Sequence, residues 1–365
     1  MKPSAALFVD GFRAARLRVG ALHFALSISL GAVGGAVFFA LALPLPWMLG
    51  AMTVATGAAL AGAPLAVPAQ VRNAMIAILG VLLGSQFTID LFDRIAEWYV
   101  GLSGVVLSTA AAAGVAFIAF RRIGGYDRVT AYFASMPGGL SEMMVLGETM
   151  GGNGRTISLT HGTRILVAVF LIAFYFRLVE GVAPVGLPVP AGPAAASWVD
   201  LLALVACALV GYPAAKALRV PAAQLVGPLV LSAALHLSGL VSAHPPGELI
   251  AAAQVVLGAA IGARFVGMAW SELRRIVLLA ALVAVLMVLV TAGAAYGLAA
   301  ATDQSGPVLF LAFAPGGLAE MSLIALTMGS AAAFVSTHHI ARIILIVIAA
   351  PLLFRLAERR RRSLS

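Results

Sequence analysis

The sequence predicts an all-α integral membrane protein of about ten transmembrane helices, in two inverted five-helix repeats, each with a broken or re-entrant PGGL segment. Three observations carry this. Of the 365 residues 62% are hydrophobic and only 10% charged, and the mean hydropathy is +1.05, a composition outside that of soluble domains. The apolar runs are continuous rather than alternating, so they read as helices of about 20 residues able to cross a ~30 Å hydrocarbon core. A backbone in lipid must satisfy its own hydrogen bonds, which leaves helices or closed barrels. Third, PGGLSEMMVLGETMGGNGRTISLTHGTR, from Pro137 to Arg164, returns as PGGLAEMSLIALTMGSAAAFVSTHHIAR, from Pro315 to Arg342, at an offset of 178 residues without a gap.

The elements follow in order. Lys2, Arg13, Arg16 and Arg18 precede an apolar run over 21–43. Its length exceeds that of a signal-peptide core, and it has a counterpart in the second half, so it reads as the first membrane helix. Pro44 and Pro46 end it, and a second helix is expected over 47–61. A third, over 71–88, carries Gly80 and Gly84, which repeat as Gly258 and Gly262; this is the small-xxx-small spacing that lets backbones approach, and packing is its plainer reading. An acidic loop with Asp90, Asp93, Arg94 and Glu97 leads to a fourth helix ending near Phe120, then the basic loop Arg121, Arg122, Arg128. The motif follows, and a fifth crossing over 156–180. Residues 181–197, rich in Pro, Gly and Ala, link the first repeat, 21–180, to the second, 198–355. There the plan recurs, with helices over 198–218, 224–241, 249–268, 276–300 and 334–354 and a basic tail at 355–362.

Charge decides between two topologies. A PGGL segment that spans fully gives six crossings per half and parallel halves; one that dips and returns gives five and inverts them. Under the second count Arg72, Arg121, Arg122, Arg128, Lys216, Arg219, Arg264, Arg274, Arg275 and both termini face the cytoplasm, while Asp90, Asp93, Glu97, Asp200, Glu248 and Asp303 lie outside. The positive-inside rule favours inversion. The net charge of +9 is then loop bias and not a nucleic-acid groove.

The doubled residues carry the chemistry. Pro costs ~3 kcal/mol and each Gly ~1 in a helix interior, so Pro137, Gly138 and Gly139, like Pro315, Gly316 and Gly317, mark breaks where a half-helix starts with free N–H groups and its positive end inside the protein. A kink for packing alone is the plainer alternative. Glu142 and Glu320 sit just inside these starts, and an acid kept at membrane depth points to a coupling ion or to a fixed arginine partner. His161 with Arg164, and His339 with Arg342, are three apart and share a helix face. Each arginine is able to pair with a motif glutamate or to grip a substrate carboxylate through two parallel hydrogen bonds, and the histidines are candidate polar lining. Gln86, Glu148 and Asn153 lack repeat partners and are weaker candidates. Cys207 stands alone, there are six histidines and no HExxH, so no metal site, disulfide or cofactor is expected.

The doubled PGGLxEM with a following HxxR, on a chain of this length, resembles the membrane AbrB family, whose duplicated domain covers nearly the whole sequence. Members are commonly labelled transcriptional regulators, after a proposed role in aidB expression, or ammonia monooxygenase. The resemblance implies an integral membrane protein. No helix-turn-helix and no clustered copper ligands are visible to support either label directly.

Two functional readings remain. One is a secondary transporter of the bacterial inner membrane, termini cytoplasmic, moving a small anionic metabolite coupled to H⁺ or Na⁺: Glu142 and Glu320 handle the ion, and Arg164, Arg342 and the two PGG tips hold the substrate. The other is a membrane-embedded sensor or regulator of gene expression without flux. No enzymatic activity and no direct nucleic-acid contact are expected; the lipid bilayer is a partner, and homo-oligomerisation is open.

Overall fold

The structure, a computed structural model, describes residues 5–89, 95–182, 197–267, 270–302, 304–327 and 332–362. Lys2, Asp90, Asp93, Arg94, Asp303, Met328, Gly329 and most of the linker lie outside them. The described residues are helical, with no strand among them. The first half folds as α1 (Ala5–Ala40), α2 (Pro46–Leu60), α3 (Ala69–Gly84), α4 (Ile95–Arg122), α5 (Arg128–Ser135), α6 (Leu140–Thr149) and α7 (Gly154–Leu178). The second folds as α8 (Trp198–Ala217), α9 (Ala223–Leu237), α10 (Gly247–Gly262, prolonged by a 3-10 turn), α11 (Trp270–Ala299), α12 (Gly306–Phe313), α13 (Leu318–Thr327) and α14 (Ala332–Arg362).

Seven of these helices are long and apolar enough to cross a membrane: α1, α4, α7, α8, α10, α11 and α14. The count of ten adds α2, α3 and α9, which have 15, 16 and 15 residues and so reach only about 22–24 Å at 1.5 Å per residue. The tail expected after Phe354 is not separate, because α14 runs on through the arginines to Arg362. Long side chains with good helix propensity and no Gly or Pro after Pro351 let it continue.

The duplication extends into backbone geometry that the sequence does not mark. Among the described residues the non-glycine positions with positive φ are Ala42, Leu45, Arg219 and Ala222, two pairs 177 residues apart whose members differ in identity. Leu45 and Ala222 are the N-caps of α2 and α9. Non-glycine residues seldom adopt this region, so the same tight joint is built twice from unlike side chains.

Packing divides the chain into two units, Met1–Met75 with Ala251–Met268, and Ile76–Ile250 with Ala269–Ser365. In the first, α1 and α2 cross where Gly34 and Gly50 leave no room for a Cβ against each other's backbone, and Gly258 and Gly262 of α10 abut the α2 backbone at Met48 and Thr56. In the second, Gly211 and Gly227 make the equivalent α8–α9 crossing, and Gly80 and Gly84 of α3 meet the α9 carbonyls of Leu225 and Leu229. Without a strong hydrophobic drive in lipid, such close backbone approach is a main source of helix association. The second unit also holds both motifs. Its main cluster draws Ala116 and Phe120 of α4, Phe133 of α5, Met143 of α6, Ile157 of α7, Met287 of α11 and Phe354 of α14 around the first motif.

Candidate functional site

Each motif is a broken pair of short helices, and the break follows from proline. The ring disfavours helical backbone in the residue before it. Met136, before Pro137, is extended at φ −71, ψ 123, and Ala314, before Pro315, at φ −52, ψ 137. This ends α5 and α12 after eight residues, and Gly139, at φ −61, ψ 132, caps the next start. The four helices begin at Arg128, Leu140, Gly306 and Leu318, so both pairs keep the offset of 178.

Hydrogen bonds show that each segment turns back on itself. The His161 Nε2 donates to the Phe133 carbonyl at 2.9 Å and an Arg164 Nη to the Met136 carbonyl at 3.0 Å, so α5 and α7 run in parallel from a common side. His339 donates to Leu311 at 2.9 Å, and Arg342 to Ala314 and, at 3.1 Å, to Gly316, which makes α12 and α14 parallel too. Since α6 and α13 lead back to the starts of α7 and α14, each break lies at the tip of a hairpin. At the mouth of the first, the Asn153 amide donates to the Thr130 hydroxyl at 2.8 Å, closing the end of the loop onto the start of α5. Each arginine is ten residues into its helix, about 15 Å from its start.

The HxxR pairs have a local task that explains their spacing. Ending a half-helix at depth strands its last carbonyls where water cannot reach. His161 and Arg164 satisfy those of α5, as His339 and Arg342 satisfy those of α12, and a cation at a helix C-terminus also suits the dipole. Donation by Nε2 fixes the His339 tautomer, leaving Nδ1 to accept from Arg342 at 3.1 Å. The ion pair to a motif glutamate is not formed: among the described residues neither arginine has a carboxylate within 4 Å. Both are nonetheless buried, at 4% and 2% exposure, and the Nε of each has no hydrogen-bond partner.

The glutamates fold back over their own helix starts. A Cβ on Gly139 or Gly317 would collide with the carboxylate of Glu142 or Glu320, which places an acid close over each helix start, where the dipole favours it. Glu320 is buried and Glu142 half-exposed. The two repeats also touch here: Gly138, at the first tip, has no room for a Cβ against Ile346, one turn beyond Arg342.

Sequence reasoning did not find the acceptors. Phe133 and Leu311, and Met136 and Ala314, are equivalent but unlike, because only their carbonyls matter; the register of the HxxR pair 28 residues later was the available signal. Ser336, repeated as Ser158, donates to the Ser322 hydroxyl at 2.9 Å and so ties α14 to α13. Of the weaker candidates, Asn153 caps α7, accepting from the Thr156 amide at 2.9 Å, Glu148 lies against Gly154, and Gln86 donates to Ser85 at 3.1 Å.

The fold defines an all-α, multi-pass membrane protein in which each PGGL motif forms the tip of a hairpin of short helices. The chain belongs to the AbrB family: residues 47–358 match the family described as transition state regulatory protein AbrB. It is 25% identical over 351 residues to the uncharacterised protein YhjN of Bacillus subtilis (strain 168), covering 90% of this chain and 91% of the other. It is also 23% identical over 321 residues to an Escherichia coli (strain K12) protein provisionally named regulator AbrB, covering 87% and 91%.

Proposed function

We propose that the protein is a secondary transporter of a small anionic metabolite coupled to H⁺ or Na⁺, in the bacterial inner membrane with both termini cytoplasmic, and not an enzyme. The supporting observation is the pair of buried guanidinium groups, Arg164 and Arg342, beside two hairpin tips with no carboxylate partner among the described residues. Buried charge without a counter-charge is costly, and an anion entering between the tips supplies it. Inverted repeats with discontinuous helices meeting near mid-membrane are a recurrent carrier architecture, and two re-entrant hairpins leave five crossings per half, an odd number that inverts the second half.

Coupling follows from the glutamates' position. An ionised Glu320 covers the α13 start, whose amides would otherwise attract a substrate oxygen. Neutralisation by a proton or a bound cation weakens that cover and opens the amides, so the ion and the anion bind together.

The test is uptake of candidate carboxylates into liposomes holding the purified chain. Saturable flux is expected, with Glu320→Gln or Glu142→Gln removing its dependence on the ion gradient while the protein stays folded; ligand binding without flux in any gradient overturns the carrier. The provisional name of the Escherichia coli relative favours a second reading, a sensor acting on gene expression, which predicts that second outcome.

A further inference from the structure

Beyond the motif, an apolar groove of about 540 Å³ lies on the same unit between α4 and α14, with Met136 on its inner wall and Arg128 and Ala357 at its outer end. Gly114 opens it on the α4 side. Along α14 it runs from Leu345 to Ala357, twelve residues or about 18 Å, close to the depth of one leaflet of a ~30 Å core. Its flank is lipid-facing, since Ile348 and Leu353 are exposed at 58% and 57%. Across Phe354 it adjoins a second cavity, of about 570 Å³, lined by Thr149, Met150, Arg355, Glu358 and Arg359.

The two cavities differ in chemistry in the way the two ends of a phospholipid do. Glu358 is already used, paired with Arg128 at 2.8 Å, which leaves Arg355 and Arg359 as net positive charge at the end of an apolar slot. We infer that this groove seats one acyl chain of an anionic phospholipid whose phosphate lies on Arg355 and Arg359. A concave apolar slot inside a bilayer is filled by lipid or protein and not by water, and the arginines select an anionic headgroup, each contributing electrostatic attraction at the membrane surface. The bound chain covers the outer face of α5, beside the carbonyl that Arg164 holds.

Native mass spectrometry of the full-length protein in detergent, with added phosphatidylglycerol or phosphatidylcholine, tests this. Wild type is expected to retain one phosphatidylglycerol in preference to phosphatidylcholine. The double variant Arg355→Gln/Arg359→Gln should lose that preference by about thirtyfold. Gly114→Phe, at a position where an added Cβ meets nothing within 4 Å, should lower retention of both lipids with the fold intact. Equal retention of phosphatidylglycerol by all three proteins overturns the inference. So does a lipid-free dimer that Gly114→Phe dissociates, since a second copy then fills the groove.

Discussion

Arg342 shows how a charged side chain comes to be indispensable inside a bilayer before any ligand is considered. Its Nη groups hold the Ala314 and Gly316 carbonyls, so Arg342→Gln strands them, and leaving each unsatisfied costs about 1–3 kcal/mol. Thermal unfolding in detergent should show a loss of about 2–4 kcal/mol, whether or not the protein transports. Gly317 and Glu320 form a second testable pair. Gly317→Ala drives a Cβ into the carboxylate, and turning that buried side chain off its rotamer should cost about 1 kcal/mol. Adding Glu320→Ala removes the collision, so a double-mutant cycle should give a coupling of about 1 kcal/mol or more; additive losses would mean that the two do not meet. His244 lies in the loop before α10, with Nδ1 2.8 Å from the Ser85 hydroxyl and its ring 5.9 Å from that of His236. Burial first, and the His236 charge second, hold its pKa below the ordinary value. The neutral form therefore supports the fold above about pH 6.5, the unfolded value, and that support is lost as pH falls through and below it. The fall in melting temperature between pH 7 and pH 5 should be smaller in His244→Gln.

At the scale of elements, what the sequence made legible was repetition and interruption. The offset of 178 predicted two equivalent breaks, and Pro137 and Pro315 located each to the residue, because proline acts on its neighbour's backbone. The glycines were legible as packing surfaces but not their partners: spacing shows that Gly80 and Gly84 share a face, and only the fold shows that this face meets α9. The left-handed joints at Leu45 and Ala222 left no trace, since neither residue favours that conformation. The acceptors of the HxxR pairs were hidden for a related reason, a carbonyl being the same on any residue. Crossing glycines give a contrast to measure. Gly227→Ala, against the Gly211 backbone, should destabilise by about 1–3 kcal/mol. Gly57→Ala, in α2 with open space around it, should be neutral or gain up to ~1 kcal/mol from helix propensity.

At the scale of the whole molecule, the duplicated plan carries a topological expectation. With Cys207 replaced by Ser, single cysteines at Gly152, by the mouth of the first hairpin, and at Ser305, by that of the second, should react with a membrane-impermeant maleimide from opposite sides of sealed vesicles. Labelling from one side would make the halves parallel. Of two acids at equivalent places, Glu142 is half-buried and Glu320 is 8% exposed. A water-soluble carbodiimide with an amine tag should thus modify the first far faster than the second, and any solute that exchanges their reactivities would reveal the molecule trading one open vestibule for the other.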